Sequence, residues 1–417
     1  MKYSALRGMK DILPDEINIW QHIEEKAREI FEIFNFREIR TPILEQAELF
    51  LRSIGEDTDI VEKEMYVFHD KKGRKVALRP EGTASVVRAY IQNSLFNAPS
   101  PQKFYYIGPM FRYERPQKGR FRQFHQIGVE SFGVSSPEVE AELLFLLKKF
   151  FESLKIVELS YEINSIGCKI CRPLYKEGLY KFLGERVSNL CFDCQRRFET
   201  NPLRVIDCKV PSCRETLSDI PLMINFLCEN CREHFSDFQK KLELYEIPYK
   251  VNPKIVRGLD YYTGTVFEVT TNALGAQNAV AAGGRYDELV ELFGGPSTPA
   301  AGFAIGIERL VELLDKKLFL QLQKPLIFVA HAGEALEREV LNLSSRLRDN
   351  SFIVERAYEN LSLKAQLKRA DRLKAKWVII VGEEEIKKSL YKWKKMSDGT
   401  QGEATLDEII SIMKEQE

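Results

Sequence analysis

Phe-Arg-Tyr-Glu-Arg-Pro-Gln-Lys-Gly-Arg-Phe-Arg-Gln-Phe-His-Gln-Ile-Gly-Val-Glu, residues 111–130, is the stretch that decides the fold of this chain. Five cations fall at positions 112, 115, 118, 120 and 122, and only Glu114 opposes them. Apolar residues flank the run, and Pro116 and Gly119 supply turn chemistry, so we expect a strand, a long charged loop and a returning strand. Charge alone would also suit a solvated hairpin. However, Arg112 is predicted in the strand, where an arginine is costly without an anion.

Size and composition limit the classes of protein to consider. At 417 residues, with 44% hydrophobic and 29% charged residues, the chain resembles an ordinary globular protein of two or three domains. No apolar run is long enough to span a bilayer, and the N-terminus lacks the apolar core of a secretion signal. We therefore expect a cytoplasmic protein with no membrane partner. The formal net charge is zero, so the local excess at 111–130 needs a local reason, such as a polyanion.

Hydrophobic periodicity predicts a mainly antiparallel α+β domain over the first three quarters of the chain. Helices are expected from a cap at Asp15 or Asn18 to about residue 34, and over 136–151. A strand over 36–45 should be broken at Pro42. Residues 76–83 are predicted to be a short strand that runs into a turn and a helix, which Thr83 or Ser85 could cap. Further strands are predicted at 104–110, 126–132, 157–163, 249–251, 266–270, 279–282 and from 300, where a strand becomes a helix near Gly306.

The pattern changes after Lys324-Pro325. Strands at 326–330, 352–355 and 377–381 alternate with helices at 334–348 and 360–374, which predicts a small α/β domain with a largely parallel sheet. We therefore expect a first domain over 1–323, with an insertion at about 166–248, and a second domain over 324–417.

All eight cysteines lie between residues 168 and 231. They form the short-spaced pairs Cys168/Cys171, Cys191/Cys194, Cys208/Cys213 and Cys228/Cys231. Closely spaced thiolates suit tetrahedral zinc, and a reducing cytoplasm disfavours disulfides. The pattern predicts structural zinc at one or two sites, with disulfides and free thiols as the alternatives. The spacing leaves open which pairs join.

Three further motifs carry residues suited to an anionic ligand. Arg-Gly-Leu-Asp-Tyr-Tyr-Thr-Gly-Thr-Val-Phe-Glu, residues 257–268, offers an arginine and two tyrosines, which suit an amphipathic ligand but could also be simple packing. Ala-Ala-Gly-Gly-Arg-Tyr-Asp, residues 281–287, permits close approach to the backbone. Arg309 follows a strand–helix junction. The chain has neither a Gly-x-x-x-x-Gly-Lys-Ser/Thr phosphate loop nor a Gly-x-Gly-x-x-Gly dinucleotide turn.

Together these motifs closely resemble those of the histidyl-tRNA synthetase family within the class II aminoacyl-tRNA synthetases. The resemblance runs from Arg-Gly-Met-Lys-Asp, residues 7–11, to the C-terminal domain. Residues 36–45, 111–130 and 302–310 resemble the three class II motifs. Residues 257–268 and 281–287 resemble the two histidine-specific motifs. The resemblance implies an α+β fold: an antiparallel class II sheet with flanking helices, an inserted cysteine-rich domain, and a C-terminal three-layer α/β anticodon-binding domain. It also implies a homodimer.

The resemblance implies a two-step reaction that joins L-histidine to tRNA(His) through histidyl-adenylate, with ATP and Mg²⁺ and with no DNA partner. Its motifs also imply residue roles. The ATP-binding residues are Arg112 at the α-phosphate, Arg309 and Arg120 at the γ-phosphate, and Arg257 across the α-phosphate, with Arg112 and Arg257 catalytic. The histidine-binding residues are Glu81, Thr83 and Gln126 for the α-amino group, and Glu130 and Tyr262 for the imidazole, with Tyr261 packing nearby. The residues that meet the tRNA acceptor end are Gln117 and Arg122.

Two other functions fit parts of the pattern. A synthetase-like regulatory subunit of histidine biosynthesis typically lacks the C-terminal domain and the Arg-Gly-Leu-Asp-Tyr-Tyr motif, and this chain has both. A sensor of uncharged tRNA would be expected to lose the phosphate-binding arginines, which are intact here. The cysteines are absent from equivalent places in many relatives, so we expect the metal to brace the insert rather than to act in catalysis.

Overall fold

The computed structural model describes the chain except for residues 1–2, 56–57, 59, 118, 207, 209, 276–277, 315–324, 334–335, 359–360 and 416–417. The chain divides into two compact units, Met1–Lys316 and Lys317–Glu417. The domain boundary predicted between residues 323 and 324 lies outside the described residues. Among the residues that are described, no helix is long and apolar enough to cross a membrane.

A large mixed sheet forms the centre of the first unit. The strands of this unit are β1 (Arg37–Glu38), β2 (Leu44–Gln46), β3 (Val67–His69), β4 (Lys75–Leu78), β5 (Gln102–Phe111), β6 (Gln123–Phe132), β7 (Ser160–Ser165), β8 (Tyr249–Val251), β9 (Thr263–Thr270), β10 (Ala279–Arg285) and β11 (Ala300–Gly306). Within the described residues the large sheet has the order β1-β5-β6-β11-β10-β9-β7-β8, and β2-β4-β3 form a small second sheet. All neighbours from β5 to β7 pair antiparallel, whereas the outer pairs β1–β5 and β7–β8 are parallel.

Helices flank this sheet. They are α1 (Pro14–Ile33), α2 (Ala47–Ile54), α3 (Thr83–Gln92), α4 (Glu138–Ser153), α5 (Cys171–Gly184), α6 (Phe192–Thr200), α7 (Pro211–Thr216), α8 (Glu229–Leu244), α9 (Leu289–Leu292) and α10 (Ile307–Leu313). The first of them begins at Pro14, whose ring is preorganised for the first helical turn, rather than at the predicted caps Asp15 or Asn18. Ile19, Ile23 and Phe31 recur at helical spacing on its buried face.

The strand predicted over residues 36–45 is broken, as the proline at position 42 suggested. Its first part, β1, pairs in parallel with β5 in the large sheet. Its second part, β2, pairs antiparallel with β4 in the small sheet. Proline lacks a backbone donor and so weakens strand pairing at its position, and the chain changes sheet around residue 42.

The opening stretch forms the predicted hairpin of β5 and β6, which pair from Gln102 opposite Phe132 to Phe111 opposite Gln123. Arg112 lies one residue beyond the end of β5, so its predicted place within the strand is wrong. A Cβ atom at Gly128 would lie 2.0 Å from Cζ of Tyr106, so this position of β6 accepts only glycine. The hairpin thus brings Arg112 to the end of the sheet, beside the loop.

The insert between β7 and β8 contains helices α5 to α8 and has a core of its own. Cys171, Tyr175, Leu179, Cys194 and Cys213 are among its buried members. Directly after α8, the Tyr245 ring instead stacks on Phe145 of α4 at 4.7 Å between centroids.

The second unit is a three-layer α/β domain. Its strands are β12 (Leu326–Ala332), β13 (Ile353–Arg356), β14 (Trp377–Gly382), β15 (Tyr391–Lys395) and β16 (Gln401–Ala404), and its helices are α11 (Glu337–Asp349), α12 (Leu363–Arg372), α13 (Glu383–Lys388) and α14 (Leu406–Glu415). Ile327 and Val329 pack in one core with α11 and α14, whereas Phe328 and Ala330 pack in another with α12.

The sheet of this unit is only partly parallel. Its order is β13-β12-β14-β15-β16, and the first three strands are parallel, as predicted. The last two are antiparallel and were not predicted. Their lysine-rich sequence resembles a charged surface, but Trp393 of β15 packs edge-on against Trp377 at 5.5 Å. Lysines on such outer strands discourage pairing with other chains.

Candidate active site

Four of the five predicted motifs of the first unit, at residues 111–130, 257–268, 281–287 and 302–310, contribute to the lining of one cavity of about 320 Å³. Its lining contains the following predicted site residues: Glu81, Thr83, Arg112, Arg120, Gln126, Arg257, Tyr261, Tyr262 and Arg309. Three other predicted residues, Gln117, Arg122 and Glu130, stand outside this lining. The segments that meet here come from five different strands or loops, so sequence distance hides their proximity.

Arg112 and Arg120 are held on one side of the cavity. The Arg112 Nε atom donates to the carbonyl oxygen of Pro80 at 2.9 Å, and its guanidinium lies 5.2 Å from the centroid of the Phe124 ring. Arg120 pairs with Glu114 at 3.0 Å, and Arg112 approaches the same carboxylate at 4.0 Å. Glu114 therefore holds both cations at the mouth of the cavity, a role that sequence reasoning did not assign to it.

Arg257 belongs to the same cavity lining. Its Nη1 atom donates to the Glu268 carboxylate at 2.7 Å, and its guanidinium lies 5.1 Å from the centroid of Tyr262. The arginine side chain is 15% exposed, which leaves it accessible from the cavity. Glu268 ends the same predicted motif, but sequence reasoning gave it no role. A buried, fixed guanidinium is suited to bind a phosphoryl oxygen in a defined geometry.

Arg309 extends from α10 across to β10, where it donates to the carbonyl oxygen of Ala279. Burial lowers the pKa of Arg309, and the nearby charge of Arg120 lowers it further. The positive charges of Arg309 and Arg120 repel each other in this half-buried pocket, and the repulsion is unfavourable while the pocket holds no anion. A polyanion bound between the two arginines would offset this repulsion.

Glu81 closes the start of α3. Its carboxylate accepts from the backbone N–H of Thr83 at 2.6 Å and of Ala84 at 3.0 Å, so this residue, and not the predicted Thr83 or Ser85, caps the helix. Burial raises the pKa of Glu81, although these two N–H groups oppose the increase. Across the cavity the Oε1 atom of Gln126 is buried, with no hydrogen-bond partner among the residues the structure describes. A ligand donor is the natural partner for that oxygen.

Glu130 does not line the cavity itself but is hydrogen-bonded to Thr83, which does. It accepts from the Thr83 hydroxyl at 2.7 Å and from the hydroxyl of Tyr286. Burial is the main reason that the pKa of Glu130 is raised to about 8. Tyr286 was missed as a site residue, although it belongs to the predicted motif at 281–287. Its ring packs edge-on against Tyr261 at 5.8 Å, and Tyr261 lies 4.7 Å from Tyr262.

The charged loop between β5 and β6 is tied to the N-terminal segment. Gln117 pairs with Arg120 through both backbone hydrogen bonds, which close the turn. The Arg122 N–H donates to the carbonyl oxygen of Gly8 at 2.7 Å, and the Arg122 guanidinium lies 3.6 Å from the Tyr113 ring centroid. Gly8 has φ +86°, and a Cβ there would lie 2.8 Å from Cγ of Arg122. Lys118 lies outside the described residues.

The cysteines form two groups of four, and this answers the pairing that sequence left open. One group contains Cys168, Cys171, Cys228 and Cys231, and the other contains Cys191, Cys194, Cys208 and Cys213; in each group all sulfurs lie within 4.8 Å of one another. Adjacent sulfurs are 3.7 to 3.9 Å apart, too far for a disulfide. A zinc–thiolate tetrahedron with bonds of about 2.3 Å has edges of about 3.8 Å, so the donor sets fit zinc.

Backbone N–H groups also point at these sulfurs. Cys228 donates to the Cys171 sulfur and Cys191 donates to the Cys213 sulfur, each at 3.1 Å. Such donors stabilise thiolate charge, which a metal site needs. The second group is nested within the sequence interval that the first group closes.

Comparison with known proteins identifies the family. Residues 8–172 and 224–310 match the sequence model described as histidyl-tRNA synthetase, and residues 326–416 match that of the anticodon binding domain. A histidine–tRNA ligase of Thermodesulfovibrio yellowstonii is 67% identical over 99% of both chains, and one of Syntrophotalea carbinolica is 47% identical over 100% of this chain and 99% of its own. The crystal structure of apo histidyl-tRNA synthetase from S. aureus superposes with a TM-score of 0.82, at 36% identity, over 99% of this chain and 100% of that one.

The antiparallel sheet, the arginine-lined cavity at its end and the separate C-terminal domain define a class II aminoacyl-tRNA synthetase. Within that class, the sequence model that matches the first unit and the full-length relatives agree on histidine. The chain belongs to the histidyl-tRNA synthetase family.

Proposed function

We propose that the arginine-lined cavity performs both steps of histidine transfer to tRNA. The enzyme ligates L-histidine to tRNA(His), and it consumes ATP and releases AMP and pyrophosphate. The observation that carries the assignment of the site is the convergence of Arg112, Arg257 and Arg309 on one cavity that also presents Glu81 and Gln126. The cations suit a triphosphate, and the acceptors suit the α-amino group of an amino acid.

In the first step a carboxylate oxygen of histidine attacks the α-phosphorus of ATP. A bond forms between that oxygen and phosphorus, the bond from the α-phosphorus to the bridging oxygen breaks, and pyrophosphate leaves. Arg112 and Arg257 belong to the same cavity lining, where they stabilise the charge that develops on the α-phosphoryl oxygens. Arg309 and Arg120 hold the γ-phosphate.

Histidine is recognised by groups on both sides of the imidazole. Tyr262 contributes a hydroxyl, and Glu130 contributes a carboxylate that lies beside Thr83. A site that satisfies both ring nitrogens rejects amino acids that would leave these buried groups unpaired. Tyr261 packs against Tyr262 and excludes water from the ring.

In the second step a hydroxyl of the 3′-terminal ribose attacks the histidyl carbonyl carbon, and the bond to the adenylate oxygen breaks. AMP leaves with that oxygen. Gln117 and Arg122 belong to the loop that would meet the acceptor end. In the second unit Lys364, Lys368 and Arg372 are exposed along α12, where they suit the phosphate backbone of the anticodon arm. Because its tRNA substrate is cytoplasmic, we propose the same location for the enzyme.

Mg²⁺ enters with ATP. Magnesium prefers oxygen ligands, and Glu114 and Glu268 bring carboxylates to the cavity lining. Each is already paired with an arginine, so these acids would complete a shell made mainly of phosphate and water oxygens. When bound, the ion neutralises charge on the phosphates.

Zinc is the metal we propose for both cysteine groups. Eight thiols arranged as two sets of four, with sulfur separations close to the edge of a zinc–thiolate tetrahedron, support this assignment. The expected role is structural because each set uses four protein ligands and leaves no open position. Elemental analysis of protein purified under reducing conditions should find two zinc ions per chain. Eight reactive thiols and no metal would exclude zinc.

We also propose a homodimer through the small sheet. Ile43, Leu44, Val67 and Phe68 are large apolar residues, each at least 40% exposed, on or beside β2 and β3, the two strands that flank β4 in this sheet. A second copy of this chain would bury them, and residues 36–45 resemble the motif that shapes the dimer in class II enzymes. Phe68→Glu should shift the mass in sedimentation equilibrium to that of a monomer.

The decisive experiment for the site is histidine-dependent ATP–pyrophosphate exchange, followed by charging of a tRNA(His) transcript. The parent enzyme should do both, whereas Arg257→Ala should lose exchange by about a hundredfold or more because a transition-state cation is removed. Arg74→Ala, an exposed arginine of the same unit, is the matched control and should behave like the parent. Full exchange in Arg257→Ala would exclude its catalytic role, and no exchange in the parent would favour the regulatory-subunit alternative.

A further inference from the structure

A second cavity, of about 370 Å³, lies between the cysteine-rich insert and the segment 257–262. Arg257, Leu259 and Tyr262 line both this cavity and the active-site cavity. The segment, called here the 257–262 loop, is therefore a thin wall with the substrates on one side and the insert on the other. A wall with a cavity on both sides depends on specific ties for its position.

One tie comes from Arg172. Its Nη2 atom donates to the backbone carbonyl oxygen of Tyr262, and its Nε atom is 3.5 Å from the carbonyl oxygen of Ile166. Arg172 directly follows Cys171, a member of the first cysteine group. The guanidinium thus connects the base of the insert to the residue whose hydroxyl we assign to the imidazole.

A second tie comes from Arg204. It donates to the carbonyl oxygen of Gly258 at 3.0 Å and to the Asp260 carboxylate at 2.6 Å, and its side chain is only 18% exposed. Arg204 lies in the short helix Pro202–Val205, between Cys194 and Cys208 of the second group. From the other side, the Asp260 N–H donates to the carbonyl oxygen of Ile54 at 3.1 Å. The loop is therefore held between the end of α2, at Ile54, and the insert.

The family's sequence model skips residues 173–223, which include Arg204 and the whole second cysteine group. Arg172 is the last residue that the model matches before this gap. The tie from Arg204 thus lies outside the segments that the family's sequence model matches, and the tie from Arg172 lies at their edge.

We propose that Arg172 and Arg204 are positioning residues that hold the 257–262 loop in its substrate-binding form, so that the cysteine-rich insert sets histidine affinity. This inference rests on the proposed assignment of Tyr262 to histidine. A charge-assisted hydrogen bond to a backbone carbonyl fixes the loop without touching substrate. Small displacements of a positioning group have large effects on binding and rate.

The two ties should have different kinetic consequences. Arg257 has its own anchor in Glu268, so loss of the Arg172 tie at Tyr262 should disturb the histidine side more than the ATP side. Gly258 adjoins Arg257, so loss of the Arg204 tie should also reach the catalytic guanidinium. Arg172→Ala should raise KM for histidine about tenfold with KM for ATP nearly unchanged, while Arg204→Ala should raise KM for histidine and lower kcat, each about tenfold.

The test is steady-state ATP–pyrophosphate exchange on the full-length enzyme, with thermal midpoint and zinc content measured on each variant. Arg172→Lys and Arg204→Lys should recover part of the loss, because lysine keeps one charged donor. Arg186→Ala is the matched control: this arginine lies in the insert, and its hydrogen bonds go to Phe182 and Glu185 within the insert. It should keep the parent's kinetics.

The proposal is overturned if the alanine variants keep the parent's KM for histidine, or if both KM values and kcat change together with a fall in thermal midpoint and no recovery by lysine. Tyr262→Phe separates this failure from failure of the site assignment. A raised KM for histidine in Tyr262→Phe with unchanged Arg172→Ala would overturn the positioning role alone. Unchanged kinetics in Tyr262→Phe would instead overturn the assignment of the imidazole site.

Discussion

The Thr83 hydroxyl donates a 2.7 Å hydrogen bond to the Glu130 carboxylate and so connects the first turn of α3 to the middle of β6. Glu81 accepts the Thr83 N–H on the other side. One threonine therefore separates two buried carboxylates, and the charge of Glu81 contributes to the raised pKa of Glu130. Ionisation of Glu130 is therefore unfavourable in the free enzyme, and a hydrogen-bond donor of a bound ligand would make it less so.

Glu130→Gln should weaken histidine binding. The amide retains the shape and one acceptor but cannot carry the charge that a ring N–H would stabilise. We expect KM for histidine in ATP–pyrophosphate exchange to rise about tenfold to a hundredfold, with KM for ATP within about twofold of the parent. Glu162→Gln, on β7 of the same sheet, is a suitable control. Equal histidine KM values for Glu130→Gln and the parent would remove Glu130 from the imidazole site.

The same carboxylate should make the free enzyme less stable as pH rises. The pKa of Glu130 in the folded chain is raised to about 8 from the ordinary value of 4.5, so between these values the folded form holds a proton that the unfolded form has lost. Stability from this group is therefore present below about pH 4.5 and is lost as pH rises towards 8, at up to about 1.4 kcal/mol per pH unit.

Glu130→Gln lacks this titration, which makes the effect measurable. Its thermal midpoint relative to the parent should increase from pH 5.5 to pH 8, and saturating histidine should reduce the difference, because the ligand binds the parent's carboxylate better. A difference between variant and parent that is constant over this range would contradict the raised pKa.

Much of this fold follows from local pattern. The β5–β6 hairpin, the break at position 42 and the alternation in the second unit all appear in the periodicity, because each depends on short-range chemistry. The site required a family resemblance, since residues such as Glu81, Arg257 and Arg309 are brought together only by strand order. Tyr286 was missed as a partner because it is 156 residues from Glu130 in sequence. Glu114 and Glu268 lie close in sequence to the arginines that they pair with, but the pattern did not show that these acids face those cations.

The cysteines show a different limit. Short spacings predicted paired thiolates, but the choice of partners depended on how the insert folds back on itself. The first group joins the two ends of the insert, and the second group joins two positions inside it. Arg172 and Arg204 could not be identified from sequence either, because arginines among many surface cations acquire meaning only from the carbonyl groups that they contact.

Metal removal should separate the two cysteine groups. The first group closes the interval from residue 168 to 231, and the second closes the shorter one from 191 to 213. Loop closure costs less for the shorter interval, so the second site can form alone. Cys171→Ser with Cys231→Ser should keep one zinc, as should Cys194→Ser with Cys213→Ser, whereas a chelator should remove both from the parent.

Loss of either zinc ion should also change the kinetics of the enzyme, because the insert holds the 257–262 loop. Cys171→Ser with Cys231→Ser should raise KM for histidine, as Arg172→Ala does. Cys194→Ser with Cys213→Ser should raise it as Arg204→Ala does. The parent reconstituted with zinc after chelation should recover. If zinc is lost and KM for histidine is unchanged, the zinc ions stabilise the insert but have no part in histidine binding.

Glu140 and Arg285 form a buried ion pair whose loss should destabilise the first unit strongly. Arg285 donates to Glu140 at 3.0 and 2.7 Å, and His234 lies 2.7 Å from the same carboxylate. The side chains of Glu140 and Arg285 are 0% and 4% exposed. Removing Arg285 leaves the buried Glu140 carboxylate with His234 alone, so Arg285→Ala should lower the unfolding free energy by about 3 kcal/mol.

Unfolding of the full-length enzyme, followed by tryptophan fluorescence in urea, would measure this loss. Lys240→Ala breaks an exposed pair with Asp237 on α8 and should leave the transition midpoint unchanged, because solvent screens that pair. Arg285 also belongs to the motif at 281–287, so a stable Arg285→Ala enzyme with altered histidine KM would assign that arginine to the site rather than to the core. A midpoint equal to that of Lys240→Ala would contradict the buried-pair argument.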